Sequence, residues 1–169
     1  RAIAERLTAE GAIVTVTDQN PAAGKAVTDA VDTIEILEHD VRIPADWVKV
    51  IDSVTQQYGR LDILINNAGI LATESSQEIE NTSLDQWRTV NAVNSEGVFL
   101  GCQHGIGAMK TSGGSIVNLS SIAALIGTPD VVAYGASKAA VRQLTKSVAK
   151  HCGREGYRIR CKSVHPGAI

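Results

Sequence analysis

The feature that most constrains the fold of this chain is a regular alternation of helix-like segments with short runs of Val, Ile and Leu. These runs lack the apolar–polar alternation of a strand with one solvated face, so we expect strands buried on both faces, as in a parallel sheet. The pattern predicts one domain, residues 1–169, with an α/β fold and a Rossmann-type, doubly wound parallel sheet. The predicted helices span 1–11, 21–31, 44–58, 84–110 and 131–152, and the predicted strands 12–18, 33–41, 61–69, 115–121 and 157–167.

The composition is that of an ordinary globular domain, and it argues against some classes of binding partner. Of 169 residues, 44% are hydrophobic and 20% charged, and the net charge of −2 argues against a nucleic-acid or anionic-membrane surface. No apolar run approaches the ~20 residues of a membrane span. The three cysteines have no metal-like spacing, so we expect free thiols, no metal site and a reducing compartment, the cytoplasm.

Polar residues and glycines stand where the predicted strands end. In a doubly wound sheet the ligand lies beyond the carboxyl ends of the strands, so these positions are the candidates for a binding site. The sequence therefore predicts a small-molecule site at this edge of the sheet. The residues are Asp18, Asp40, Asn67-Ala68-Gly69, Ser120-Ser121 and Pro166-Gly167.

Asp18 stands at the strand end where a dinucleotide-binding fold carries its acidic residue. That residue follows a glycine-rich phosphate loop by about 20 positions, so we expect the chain to begin just after this loop. Gly105 and Gly107 lie inside a helical run and are not interpreted as a phosphate site. A carboxylate at position 18 would accept the ribose hydroxyls and repel a 2′-phosphate, which favours NAD over NADP. A capping or loop aspartate is the alternative.

Tyr134 and Lys138 are four residues apart in a predicted helix, so they share one face with Cβ atoms ~5–6 Å apart. A free phenol titrates near ~10, and lowering that value by ~2 units requires ~3 kcal/mol. One ammonium group ~5 Å away at an effective dielectric constant of ~20 supplies roughly that amount. The pair is therefore a candidate general acid/base, with Ser121 as a donor to the substrate oxygen. A coincidental pair on a solvated face, and a turn serine, are the alternatives.

Five motifs resemble, in order and spacing, the short-chain dehydrogenase/reductase family, over essentially the whole chain. They are Asn66-Asn67-Ala68-Gly69, Asn94 in NAVNSEGVF, Ser121, Tyr134-x-x-x-Lys138 and Pro166-Gly167. Within that family the chain resembles bacterial NAD-dependent 3-beta/17-beta-hydroxysteroid dehydrogenases and their alicyclic-alcohol relatives. The resemblance implies an NAD-dependent oxidoreductase that interconverts a small-molecule secondary alcohol and a ketone, as a homotetramer.

The resemblance also implies a role for each matching position. Tyr134 would be the catalytic acid/base, Lys138 would stabilise its phenolate and hold the nicotinamide ribose, and Ser121 would orient the substrate oxygen. Asn94 would anchor a water molecule that links Lys138 to solvent. The implied coenzyme contacts are Asp18 on the adenosine ribose, Asp40 and Val41 beside the adenine, Asn67, Ala68 and Gly69 along the groove, and Pro166, Gly167 and Ile169 near the nicotinamide.

Departures from the family pattern limit the transfer of these roles. We expect the first strand with its glycine loop and the C-terminal substrate region to be absent from residues 1–169, and Lys162 stands where many members have asparagine. We therefore expect the 169-residue chain by itself to fold poorly and to be inactive, and the activity to belong to its parent protein. A dinucleotide-binding scaffold without catalysis is the alternative function. It predicts the loss of Ser121, Tyr134 or Lys138, which are all retained.

Overall fold

The computed structural model describes residues 1–20, 22, 34–71 and 77–167. Within these ranges, helices and strands alternate along the chain as the sequence predicts. The predicted helix over 21–31 lies outside them except for Ala22. The strands are β1 (Thr15–Asp18), β2 (Glu35–Glu38), β3 (Ile63–Asn66), β4 (Gly114–Leu119) and β5 (Ile159–Val164). The helices are α1 (Ala2–Ala9), α2 (Pro44–Tyr58), α3 (Leu84–Asn91), α4 (Gly97–Met109) and α5 (Val132–Arg154), with a π-helical turn at Ala92–Glu96 and a 3₁₀ turn at Ile122–Ala124.

All described strand pairs are parallel. β1 pairs with β2, with Val16 opposite Ile36, and β3, β4 and β5 form a second sheet in that order. β4 is the central strand of this sheet, and its Val117 lies opposite Ile65 of β3. The predicted α/β fold with parallel strands is therefore confirmed. Because the strands of a sheet run the same way, their carboxyl ends meet at one edge.

The main core lies between the three-stranded sheet and helices α4 and α5. Ile116 of β4, Met109 of α4 and Val141 of α5 are fully buried and belong to one apolar cluster. All three cysteines join this cluster as buried free thiols. In the described part of the chain, no helix is both long and apolar enough to cross a bilayer. The core thus fixes α5 against the sheet next to the predicted ligand edge.

A buried polar chain ties the ends of two strands to α5. Asn66 Nδ2 donates to Asn118 Oδ1 at 2.8 Å, and Asn118 Nδ2 donates to Thr145 Oγ1 at 2.9 Å. Buried amide groups are costly unless they are paired, so these bonds specify how β3, β4 and α5 align. The segments that follow β3 and β4 thereby take a fixed position relative to the helix.

The continuous helix predicted over 84–110 is interrupted in the structure. It begins with a capping box, in which Ser83 Oγ accepts from the Gln86 N–H group at 3.1 Å. The π-helical turn Ala92–Glu96 then separates α3 from α4. Such turns are frequent at functional sites, and this one contains the fully buried Asn94. Helical periodicity predicts a helix here but carries no signal for the wider turn.

Two glycines of α4 give opposite predictions for stability. A Cβ atom at Gly101 would overlap Asn66 Oδ1 and lie 2.7 Å from a Trp47 ring carbon, whereas the same position at Gly107 is open space. Gly101→Ala is therefore expected to lower the free energy of unfolding by about 1–3 kcal/mol through overpacking. Gly107→Ala is expected to raise it by about 0.5–1 kcal/mol, because alanine has the higher helix propensity. Urea unfolding of both variants checks the pair, and a shift of the same sign in both would contradict it.

Candidate active site

A cavity of about 280 Å³ opens at the carboxyl ends of β3 and β4, where the sequence predicts a ligand. Its wall combines the turn after β3, the end of β4, the first turns of α5 and the segment after β5. Each of the predicted motifs except that of Asn94 contributes to this wall. The predicted residues that line the cavity are Asn67, Gly69, Ser120, Ser121, Tyr134, Lys138, Pro166 and Gly167.

Tyr134 and Lys138 lie in the first turns of α5 and face the same side. Lys138 Nζ lies 5.6 Å from the centroid of the Tyr134 ring. Lys138 is only 4% exposed, and burial lowers the pKa of its ammonium group. Its Nζ atom donates to the backbone oxygen of Leu119, at the end of β4, at 2.8 Å. Because the Leu119 carbonyl group carries no formal charge, it does not neutralise the ammonium group of Lys138, which can still interact electrostatically with the phenol of Tyr134.

Two serines at the end of β4 make different contacts. Ser120 Oγ donates to the Lys138 carbonyl oxygen at 2.8 Å, which fixes α5 against the strand. Ser121 Oγ accepts from the Ala123 N–H group at 3.1 Å. His165 Nδ1 lies 3.1 Å from the Ser121 carbonyl oxygen and holds that backbone in place. A hydroxyl that accepts from the backbone keeps its own proton for another acceptor, so Ser121 can donate into the cavity.

Asn94 lies behind the cavity wall. Its Oδ1 accepts from the Ile70 N–H group at 2.8 Å, and its Nδ2 donates to the Ile70 carbonyl oxygen at 2.9 Å. These bonds fix the turn after β3 to the π-helical turn. Gly69 lies next to both Lys138 Nζ and Asn94 Oδ1. A Cβ atom at this position would lie 3.2 Å from the first atom and 3.4 Å from the second. Glycine thus lets the turn approach the ammonium group closely.

The two carboxylates predicted for the adenosine end lie outside this cavity, at other strand ends. Asp18 is exposed at the end of β1, where its Oδ1 accepts from the Asn20 N–H group at 2.8 Å. Asp40 follows β2, and Arg42 Nε donates to its Oδ1 at 2.9 Å. The hydrogen bonds from Arg42 lower the pKa of the Asp40 carboxyl group. Each carboxylate thus lies at the carboxyl end of a strand of the β1–β2 sheet, and Asp40 is paired with Arg42.

The remaining predicted coenzyme residues have simpler surroundings. Val41 packs against α4, because a Cβ atom at Gly97 would lie 2.8 Å from Val41 Cγ2. Ala68 is exposed in the turn after β3, and Ile169 lies outside the described residues. In the described ranges, no three His, Cys, Asp or Glu side chains form a group able to hold a metal ion.

The sequence analysis missed the parts of the site that act through the backbone. The Leu119 carbonyl oxygen binds Lys138 Nζ, and its location at a strand end was the only available signal. Ile70 and Leu71 extend the cavity wall directly after the predicted turn. The apolar side chains of Ile70 and Leu71 gave no reason to single them out.

Comparisons with known proteins identify the family of this chain. A family model described as enoyl-(acyl carrier protein) reductase matches residues 1–169, and relatives named as hydroxysteroid dehydrogenases are about 39–42% identical over nearly the whole chain. The chain belongs to the short-chain dehydrogenase/reductase family. The resemblance inferred from the five motifs is therefore confirmed at the level of the family.

Three relatives of this short-chain dehydrogenase/reductase illustrate the match. An NADP-dependent (R)-specific alcohol dehydrogenase of Lentilactobacillus kefiri is 38% identical over 99% of the chain and 68% of its own length. A 3-beta-hydroxysteroid dehydrogenase of Comamonas testosteroni is 39% identical over 99% of the chain and 65% of its length. The structure of a short-chain dehydrogenase from Streptomyces avermitilis superposes with a TM-score of 0.90 at 31% identity, over 100% of this chain and 61% of that one. The chain thus spans about two thirds of the length of its relatives.

Proposed function

We propose that this short-chain dehydrogenase/reductase interconverts a secondary alcohol and a ketone with a nicotinamide dinucleotide as coenzyme. The observation that carries the proposal is that Tyr134, Lys138 and Ser121 line one cavity. A phenol, an ammonium group and a hydroxyl donor around one space suit proton exchange with a substrate oxygen. The relatives named as alcohol and hydroxysteroid dehydrogenases support the same class of reaction.

The residues at the cavity fit the nicotinamide end of such a coenzyme. A volume of about 280 Å³ suits part of a dinucleotide, and the absence of a side chain at Gly69 leaves Lys138 Nζ close to the turn after β3. In this proposal Lys138 binds the nicotinamide ribose, Asn67 lines the groove, and Pro166 and Gly167 lie beside the nicotinamide. The bound coenzyme supplies the acceptor or donor of the hydride.

The chain's own residues carry the proton and orient the substrate. Tyr134 takes the hydroxyl proton of the alcohol, and it returns a proton to the ketone oxygen in the reverse direction. Lys138 stabilises the phenolate by its charge, and Ser121 donates to the substrate oxygen. Asn94, which holds the turn at Ile70, is proposed to anchor the water molecule that links Lys138 to solvent.

We propose hydroxysteroids or alicyclic alcohols as the substrate class. Apolar side chains follow the proposed substrate-orienting serine directly: Ile122, Leu125 and Ile126 are 44%, 53% and 58% exposed. Such a group of exposed apolar side chains suits an apolar ligand better than a sugar or a carboxylic acid. The homotetramer that the resemblance implies stays a prediction. Leu84, Trp87 and Phe99 of α3 and α4 are exposed apolar side chains that a subunit contact would cover.

The test of the function is turnover with matched alcohols. The gene-encoded protein that contains residues 1–169 is mixed with NAD or NADP and with hydroxysteroids and cycloalkanols, and formation of reduced coenzyme is followed. We expect turnover of secondary alcohols and none of the matched tertiary alcohols, which have no hydrogen on the carbinol carbon. Coenzyme binding without turnover of any secondary alcohol would favour the non-catalytic scaffold.

The proposed preference for NAD rests on Asp18, and Asp18→Asn tests it. The exposed carboxylate would accept the ribose hydroxyls and repel a 2′-phosphate, whereas an amide keeps hydrogen-bonding capacity without the charge. A hydrogen bond to a charged group is worth about 1.5–3 kcal/mol, so we expect the ratio of kcat/KM for NADP to that for NAD to rise about 10- to 100-fold.

The control for this prediction is Asp85→Asn, which removes an exposed carboxylate from the first turn of α3. We expect it to leave the coenzyme ratio unchanged, because only a charge beside the 2′ position discriminates the two coenzymes. An equal change in both variants would point to the net charge of the protein instead. Initial rates with each coenzyme at saturating alcohol provide the measurement.

A further inference from the structure

We propose that Ser137 is a positioning residue that joins the proposed acid/base helix to Asn94 and so holds the Tyr134–Lys138 pair against the turn after β3. The proposal deepens the function proposed above and rests on it. Ser137 lies between the two proposed catalytic residues in α5 and is 0% exposed. A fully buried hydroxyl needs partners, and its partners here come from two elements of the proposed site.

The hydroxyl group of Ser137 has one proton, and the structure accounts for it. Ser137 Oγ donates to the Tyr134 carbonyl oxygen at 2.7 Å, because a carbonyl oxygen can only accept. The contact of 3.0 Å between Ser137 Oγ and Asn94 Nδ2 must then have the amide as its donor. Ser137 therefore connects the backbone of the proposed acid/base residue to the side chain of Asn94.

This connection gives a partner to both Nδ2 protons of the Asn94 amide. The Ile70 carbonyl oxygen takes one Nδ2 proton, Ser137 Oγ takes the other, and the Ile70 N–H group donates to Oδ1. The amide oxygen consequently faces the Gly69 position, whose other neighbour is Lys138 Nζ. One buried hydroxyl thus ties α5 to the turn that forms the cavity wall.

We expect loss of the Ser137 hydroxyl group to change the relative positions of the π-helical turn and α5 more than it changes folding stability. An alanine at position 137 would leave one amide proton of Asn94 unpaired in a buried place, which the structure can relieve only by moving the π-helical turn or α5. Displacements of about 1 Å in a catalytic arrangement can cost about 100-fold in rate. The core clusters of α5 lie farther along the helix, at Val141, Val148 and Cys152, and do not include Ser137.

The test compares Ser137→Ala with Ser137→Thr and with the control Ser95→Ala in the gene-encoded protein. Threonine keeps a hydroxyl that can bond the preceding turn of a helix. Ser95 is a matched control, since its Oγ lies 3.3 Å from the Ser137 carbonyl oxygen and 3.2 Å from Asn91 Oδ1 but forms no hydrogen bond with the Asn94 side-chain amide. Circular dichroism melting establishes that each variant is folded.

Two readouts separate positioning from a general loss of structure. We expect Ser137→Ala to lower kcat about 10- to 100-fold, with less than about a 3-fold change in the KM for coenzyme. We expect Ser137→Thr to recover most of kcat. Ser95→Ala should have the kcat of wild type. We also expect hydrogen exchange of the Ile70 amide to accelerate in Ser137→Ala alone. Wild-type kcat in Ser137→Ala would overturn the proposal, as would an equal loss of kcat in Ser95→Ala.

The exchange measurement needs neither substrate nor turnover. Absence of dehydrogenase activity in the wild-type protein, together with faster Ile70 exchange in Ser137→Ala, would therefore reject the proposed function while the structural connection stands. Normal turnover in wild type and in Ser137→Ala would do the opposite, since it would retain the function and reject the role of Ser137.

Discussion

Tyr134→Phe is expected to lower kcat by about 10³-fold or more while the affinity for the reduced coenzyme changes less than about 3-fold, because the substitution removes only the group that exchanges a proton. Tyr134 lines the cavity beside Ser121 and Lys138, and the phenyl ring of the variant fills the same space. Single-turnover kinetics and quenching of coenzyme fluorescence measure the two quantities separately.

The chain offers a matched control for this prediction. Tyr157 packs edge-on against His151, with ring centroids 6.0 Å apart, and belongs to the border of the apolar core. Tyr157→Phe removes a phenol hydroxyl from the same protein without touching the cavity, so we expect wild-type kcat. Retention of more than about a tenth of kcat in Tyr134→Phe would remove the basis for the proton-transfer role, since general acid/base groups contribute about 10²–10⁴-fold.

The positions of the proposed catalytic side chains could be predicted because simple periodicities determine them. A four-residue spacing puts Tyr134 and Lys138 on one helical face, and parallel strands put Ser121 and Gly69 at the same edge of the sheet. Both inferences need only the type of element and the direction of the strands. The cavity found at this edge, lined by all four residues, has the location that those rules give.

The missed features depend on side-chain directions and on hydrogen bonds between distant segments. The sequence places Asn94 in a helix, but it does not reveal that a π-helical turn directs its amide to Ile70, 24 residues earlier. It likewise carries no sign that Ser137 pairs with Asn94, 43 residues away, or that the Leu119 backbone binds Lys138. Such pairings are properties of the packed core, which local pattern does not encode.

Lys138→Met is the second substitution for which we expect a large loss of activity. The ammonium group supplies roughly 3 kcal/mol of phenolate stabilisation at ~5 Å and an effective dielectric constant of ~20, so its removal is expected to lower kcat near neutral pH by about 100-fold. Lys146→Met, an exposed position on the same helix, is the control and should retain wild-type kcat.

Thermal unfolding distinguishes an electrostatic loss of kcat in Lys138→Met from a loss caused by a destabilised fold. Burial lowers the pKa of Lys138 in the folded protein, so the unfolded chain binds more protons between the folded pKa and the ordinary value for lysine. Folding stability of the wild type should therefore rise with pH in that window, and below it the buried ammonium group costs a constant amount. Methionine carries no charge to bury, and Leu119, whose carbonyl oxygen loses its donor, is a residue of the cavity wall. We therefore expect the thermal midpoint of Lys138→Met at neutral pH to equal or exceed that of wild type, without its alkaline rise. A thermal midpoint of Lys138→Met well below that of wild type would show that Lys138 contributes more to folding stability than to stabilisation of the Tyr134 phenolate.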